Sequence, residues 1–187
     1  MPERVAEMAT QAGAATEDDL RATDRDGRKY ELVDGQILVS PAGTRHGIVA
    51  VRLSARLLAF VERADLGYVV DSSTGFRLPG GNVRSPDVGF IAKERFKGGQ
   101  IPDGFTELAP DLAVEIVSPD DRPRLVLDKV GEYLQAGVRM VWVIDPSKGV
   151  ATVHRSLTNV RTLERSASLD GEDVLPGFSC RLAEIAR

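Results

Sequence analysis

The chain has 187 residues and a mass of 20.2 kDa, with 42% hydrophobic and 28% charged residues, which excludes wholesale disorder and collagen-like or coiled-coil repeats. A net charge of −4, from 24 basic against 28 acidic residues, gives no overall attraction to nucleic acid, so any phosphate site must be local. The single cysteine, Cys180, excludes an intrachain disulfide and a Cys-rich zinc site, and no apolar run approaches the roughly 20 residues of a membrane span. The first residues lack the apolar core of a secretory signal, so a cytoplasmic location is expected.

In chain order, residues 1–15 are small and polar and read as a flexible N-terminal arm, leaving one domain over residues 16–187. The run from Tyr30 to Ser40 carries Asp34-Gly35 at its middle, the pattern of a tight hairpin. From Thr44 or Arg45 to about Ala64 there is no proline, and Ile48, Val51, Ala55 and Leu58 recur at helical spacing. Strands are expected at 68–71, 74–78 and 83–91, growing as a meander with Pro79-Gly80-Gly81 at one turn. Leu112–Val117 reads as a central strand, Pro123–Ala136 as a helix stopped by Gly137, and Met140–Asp145 as the next buried strand. Strand, helix, strand in that order is a parallel crossover unit. Two further strands, 150–155 and 160–165, and a short helix, 180–186, complete an α+β (α/β-like) fold with a mixed sheet flanked by helices.

Three residues break this pattern. Glu115 interrupts an apolar central strand, and an unpaired buried carboxylate costs several kcal/mol, so it needs a cation, hydrogen bonds or a proton. A structural ion pair with an arginine would satisfy it. Asp87 follows Ser85-Pro86, a setting that also suits an ordinary turn aspartate. Paired on neighbouring strands, however, Asp87 and Glu115 make a hard-oxygen site for Mg2+ or Mn2+, completed by water and a backbone carbonyl. Only 5 of the 24 basic residues are lysines, and Lys129 lies on a helix stripe with Val126 and Tyr133, flanking the face of Val130 and Leu134. Near a metal such an ammonium polarises an attacking water or stabilises phosphorane charge; otherwise its stem covers apolar surface and its head reaches solvent.

Arg45, Arg52, Arg56 and Arg63 are spaced by 7, 4 and 7 residues and fall on one stripe of the long helix. They suit tracking of nucleic-acid phosphates, the alternative being a solvated helix face. No aromatic residue interleaves with them, so stacking on single strands is not suggested.

Tyr30-Glu31-Leu32-Val33-Asp34-Gly35, His46, Ser85-Pro86-Asp87-Val88, Glu115-Ile116-Val117-Ser118-Pro119, Lys129 with Tyr133, Gly137-Val138, Trp142 and Asp145-Pro146 together resemble the Uma-two family over roughly residues 25–150. That family lies in the restriction-endonuclease-like superfamily, whose signature is Pro-Asp, a variable gap, then Asp or Glu, any residue, and Lys. The resemblance implies a metal-dependent endonuclease acting on DNA, with Asp87, Glu115 and the Ile116 backbone carbonyl holding Mg2+ or Mn2+. The signature lysine position is Val117 here, and the resemblance assigns that role to Lys129 in the following helix. Glu31 and His46 match family positions that assist with a second metal or a proton transfer, although Glu31 also suits a cross-strand pair and His46 a helix entry. By analogy with such folds a homodimer is expected, with the arm as an exchange element. The competing expectation is a nuclease fold without activity that binds nucleic acid or a protein partner.

Overall fold

The computed structural model describes residues 13–23, 28–39, 43–119 and 121–186, so most of the expected arm, residues 1–12, lies outside the described residues. Ala15, at the end of that arm, donates its N–H to the Gly35 carbonyl at 2.7 Å. A short helix that the periodicity did not suggest, α1 (Glu17–Thr23), follows directly. Its signal is Thr16-x-x-Asp19: the Thr16 hydroxyl accepts the Asp19 N–H at 3.3 Å and the Asp19 carboxylate accepts the Thr16 N–H at 2.8 Å, a reciprocal cap.

The hairpin forms as expected from β1 (Tyr30–Val33) and β2 (Gln36–Val39), with Asp34 and Gly35 both at positive φ, 49° and 71°, the geometry of a primed turn. Helix α2 (Thr44–Ala64) has the expected limits, but its buried stripe is Val49, Leu53, Leu57 and Val61. The periodic set Ile48, Val51, Ala55 and Leu58 faces solvent instead.

The expected meander divides between two sheets. After β3 (Gly67–Asp71) come two short strands, β4 (Phe76–Arg77) and β5 (Val83–Arg84), and then β6 (Val88–Ala92). One sheet has the order β2-β1-β5-β4. The expected strand 83–91 breaks at Ser85-Pro86-Asp87 because Pro86 offers no N–H, and the chain crosses there from the small sheet to the large one.

The large sheet adds β7 (Leu112–Ile116), β8 (Met140–Asp145), β9 (Val150–His154) and β10 (Val160–Leu163) in the order β10-β9-β8-β7-β6-β3. β7 is central, and β7 with β8 is the parallel pair joined by α3 (Pro123–Gln135), as the crossover pattern predicts. Pro123 opens that helix, and Gly137 at φ 91° closes it, with the Val138 N–H returning to the Tyr133 carbonyl at 3.0 Å. The expected terminal helix 180–186 is shorter: Cys180 lies in β12 (Ser179–Arg181), paired with β11 (Ser168–Asp170), and α4 spans Leu182–Ile185.

Alternation along β7 separates two cores. Leu112, Val114 and Ile116 pack with the buried stripe of α2, whereas Ala113 shares the other face with Val130 and Tyr133 of α3. Glu115 is in phase with Ala113 and therefore meets α3.

Candidate active site

The register Val88↔Val114 between β6 and β7, continued by one residue, sets Asp87 opposite Glu115. Backbone bonds hold that approach: the Asp87 N–H donates to the Val114 carbonyl at 2.9 Å, and the Ile116 N–H donates to Asp87 Oδ2 at 2.7 Å. Both carboxylates are buried. Their spacing of 28 residues in sequence thus becomes adjacency across one strand pair.

On the α3 side, Lys129 and Tyr133 lie one turn apart on one helix face. Lys129 Nζ is 2.9 Å from Glu115 and 2.9 Å from Glu31 Oε1, and it approaches the Ser85 carbonyl at 3.5 Å. The Tyr133 hydroxyl donates to Glu115 Oε1 at 2.9 Å. Glu115 is therefore paired with a lysine and a tyrosine, not with an arginine. Lys129 is held inside the cluster, so its head does not reach for solvent.

Glu31 lies opposite Leu38 in the hairpin register, and its charge partners come from elsewhere. Besides Lys129 it accepts the Ser85 N–H at 2.8 Å and meets Arg84 at 3.3 Å. Arg84 continues to Glu132 of α3 at 2.5 and 2.8 Å, and Asn82 donates to the same Glu132 at 3.0 Å while accepting the Asp34 N–H at 2.9 Å. The hairpin turn, β5 and α3 are thereby tied into one polar network.

His46, in the first turn of α2, brings Nε2 within 3.3 Å of Asp87 Oδ1. Lys29 contacts the same oxygen at 2.8 Å. Sequence reading missed Lys29, Arg84 and Glu132: in Arg28-Lys29-Tyr30 nothing local distinguishes Lys29, and Arg84 and Glu132 are 48 residues apart.

These contacts set the protonation states. Burial opposes ionisation of Asp87, but the His46 hydrogen bond and the Lys29 charge outweigh it and hold the carboxyl well below its usual range. The Asp87 hydrogen bond raises His46 above its ordinary value, against burial, and the Ile116 backbone adds to the effect. Burial, aided by the Asp87 and Glu31 charges, pushes Glu115 up although Lys129 pulls it down. Glu31 is held low, its burial outweighed by Lys129, Lys29 and the Ser85 N–H. Lys129 is held high because Glu115 and Glu31 overcome its burial.

The cluster contains four carboxylates, Glu31, Asp87, Glu115 and Glu132, against three permanent cations, Lys29, Lys129 and Arg84. The surplus negative charge calls for a proton on Glu115 or His46, both of which are raised, or for an added cation. Among the described residues no three His, Cys, Asp or Glu side chains converge as a ready-made metal cage. The donors suited to a hard divalent ion are Asp87 and Glu115 with the Ile116 carbonyl, water completing the shell.

Arg45 and Arg63 are exposed on α2, Arg63 over the Phe60 ring at 5.7 Å. Arg52 and Arg56 are half-buried; Arg56 donates to the Arg52 carbonyl at 3.0 Å and lies 3.7 Å from Glu184. Leu125, one turn before Lys129, is exposed.

A sequence profile of the family described as Uma2, putative restriction endonuclease, matches residues 16–183. The chain belongs to the Uma2 family. Among solved structures, this Uma2 chain is similar to one described as a putative nuclease belonging to DUF820 from Anabaena variabilis. That structure is 20% identical, with a TM-score of 0.80, and the match covers 91% of this chain and 97% of that one. The likeness shows that the two share a fold, an α+β mixed sheet flanked by helices. Among curated proteins none matches the chain. No helix of the described residues is long and apolar enough to cross a membrane.

Proposed function

We propose that this Uma2 chain is a Mg2+- or Mn2+-dependent endonuclease that hydrolyses DNA phosphodiester bonds. The observation that carries the reading is the buried Lys129 ammonium, 2.9 Å from both Glu115 and Glu31, with Asp87 opposite Glu115 on the adjacent strand. Family membership and the fold it shares with the Anabaena protein support it.

Asp87, Glu115 and the Ile116 carbonyl would hold the metal, which when bound polarises the phosphate and acidifies a water. Lys129, oriented by Glu115 and Glu31, sets a fixed positive charge against the oxygens that gain charge as the phosphate is attacked. His46, protonated more readily than an ordinary histidine, assists proton transfer at the edge of the cluster. Of the arginines along α2, Arg56 and Arg63 serve as contacts for phosphates, and they position the duplex without reading bases.

Calorimetric titration of Mn2+ and Mg2+ into the wild type and Glu115→Ala, with and without a short non-cleavable duplex, tests this. Binding by the wild type that Glu115→Ala loses, together with metal-dependent nicking of supercoiled DNA by the wild type alone, is the expected result. Absence of metal binding with duplex present overturns it. A second reading, an inactive nuclease-fold module that binds nucleic acid or a protein, is favoured by one contact: the Lys29 ammonium on Asp87 Oδ1 at 2.8 Å stands where a metal would compete. Duplex binding that is indifferent to metal would select it.

A further inference from the structure

Helix α2 carries two apolar stripes, and only one is used inside the molecule. Val49, Leu53, Leu57 and Val61 are fully buried against the large sheet. On the opposite side Ile48 is 43% exposed, Val51 70% and Leu58 43%, with Ala55 exposed between them. The intervals from 48 to 51, 55 and 58 alternate three and four residues, the spacing of a seam between two helices. A continuous apolar patch of this kind marks an interaction surface, whereas scattered single hydrophobes do not.

We propose that this stripe pairs with the same stripe of a second copy of the chain, the two α2 helices running antiparallel across a two-fold axis. The stripe is self-complementary in that sense. Centring the axis at about residue 53 sets Ile48 against the partner's Leu58 and Val51 against the partner's Ala55, so every layer joins two apolar residues. Ala55 beside the axis lets the helices approach to the usual 8–10 Å.

The charges select the antiparallel arrangement. Glu62 is the single acidic residue of α2, and Arg45 lies at the opposite end; neither makes an ion pair among the described residues. In the antiparallel register Arg45 lies beside the partner's Glu62, and symmetry repeats the pair. A parallel register would set Arg45 against the partner's Arg45 and Glu62 against the partner's Glu62. One unfavourable contact is built in: the two Arg52 side chains face each other near the axis, and Arg52 Nη1 is already buried without an acceptor. The seam involves one helix per copy, less than the roughly 800 Å2 per partner of a standard interface, so the dimer forms in the micromolar range or weaker.

Sedimentation velocity of the full chain from about 1 to 300 μM, a span set around that micromolar range, tests the proposal without reference to cleavage. The expected result is a monomer–dimer equilibrium that Val51→Glu shifts to monomer, with an unchanged circular dichroism spectrum and, at the dilute end of the range where both proteins are monomeric, an unchanged thermal midpoint, because Val51 is exposed in the monomer. Arg45→Glu and Glu62→Arg each weaken dimerisation several-fold, the double change R45E/E62R restores it, and Arg52→Gln tightens it. A monomer throughout the range overturns the proposal. So does a dimer that Val51→Glu leaves intact, or a charge swap that fails to restore association.

Discussion

Lys129 is the residue on which the buried cluster depends, because it alone among the described cations touches both Glu115 and Glu31. Lys129→Met leaves two carboxylates facing each other in a buried site, and removing one partner of such a pair costs about 3–5 kcal/mol. One carboxyl then holds a proton. Its folded-state pKa lies above the unfolded value of about 4.5, so the variant is relatively stable in acid and loses stability as pH rises through the raised value. Urea unfolding at pH 5 and pH 8 checks this, and adding Glu115→Gln to the methionine variant recovers part of the loss. Tyr133→Phe removes one hydrogen bond to Glu115 and costs about 1–2 kcal/mol in the same assay, with the fold intact. At this scale Glu115 and Lys129 were legible because each is chemically out of place in its own segment. Lys29 and Arg84 were not, since their roles come from distant partners and nothing adjacent marks them.

At the scale of elements, α2 shows how a period can be read correctly and its direction missed. Ile48, Val51, Ala55 and Leu58 have the spacing expected of a core stripe, yet the stripe of Val49, Leu53, Leu57 and Val61 on the other side of the helix is the buried one. A helix with apolar residues on two sides carries no local mark of which side meets the sheet. The stripes have opposite energetic signatures. Leu53→Ala leaves a cavity in the core and costs about 2–5 kcal/mol, whereas Val51→Ala in the monomer stays within about 0.5 kcal/mol; equilibrium unfolding at low protein concentration distinguishes them. The break at Ser85-Pro86-Asp87 is the second lesson. Its proline was visible, but that the chain changes sheets there depends on β1 pairing with β5, a contact some 50 residues away in sequence.

At the scale of the whole molecule, the small sheet and α1 are joined through Glu17 and Arg77, with Nε to Oε2 at 2.6 Å. The Arg77 hydrogen bond lowers the Glu17 carboxyl from 4.5 to about 2. A depressed carboxyl contributes stability that is present above its unfolded pKa and lost as pH falls through the folded value. Glu17→Gln therefore lowers the thermal midpoint at pH 7, and the difference from the wild type shrinks between pH 4.5 and pH 2. Thermal scans of both proteins across that window measure it, and a difference that persists at pH 2 would show that the contact does not act through the charge.

By itself the amino-acid sequence determined the hairpin at Asp34-Gly35, both long helices, the central strand, the parallel crossover and the anomalous Glu115, Asp87 and Lys129. Those features follow from turn chemistry, hydrophobic period and residue type, which act over a few neighbouring positions. The tertiary structure alone decided that Glu31 from the small sheet shares Lys129 with Glu115 of the large one, that Lys29 and His46 converge on Asp87, that Arg84 bridges Glu31 to Glu132, and which stripe of α2 is buried. Each of these depends on which strands pair and in what register, and pairing energy between segments tens of residues apart leaves no trace in either segment read alone.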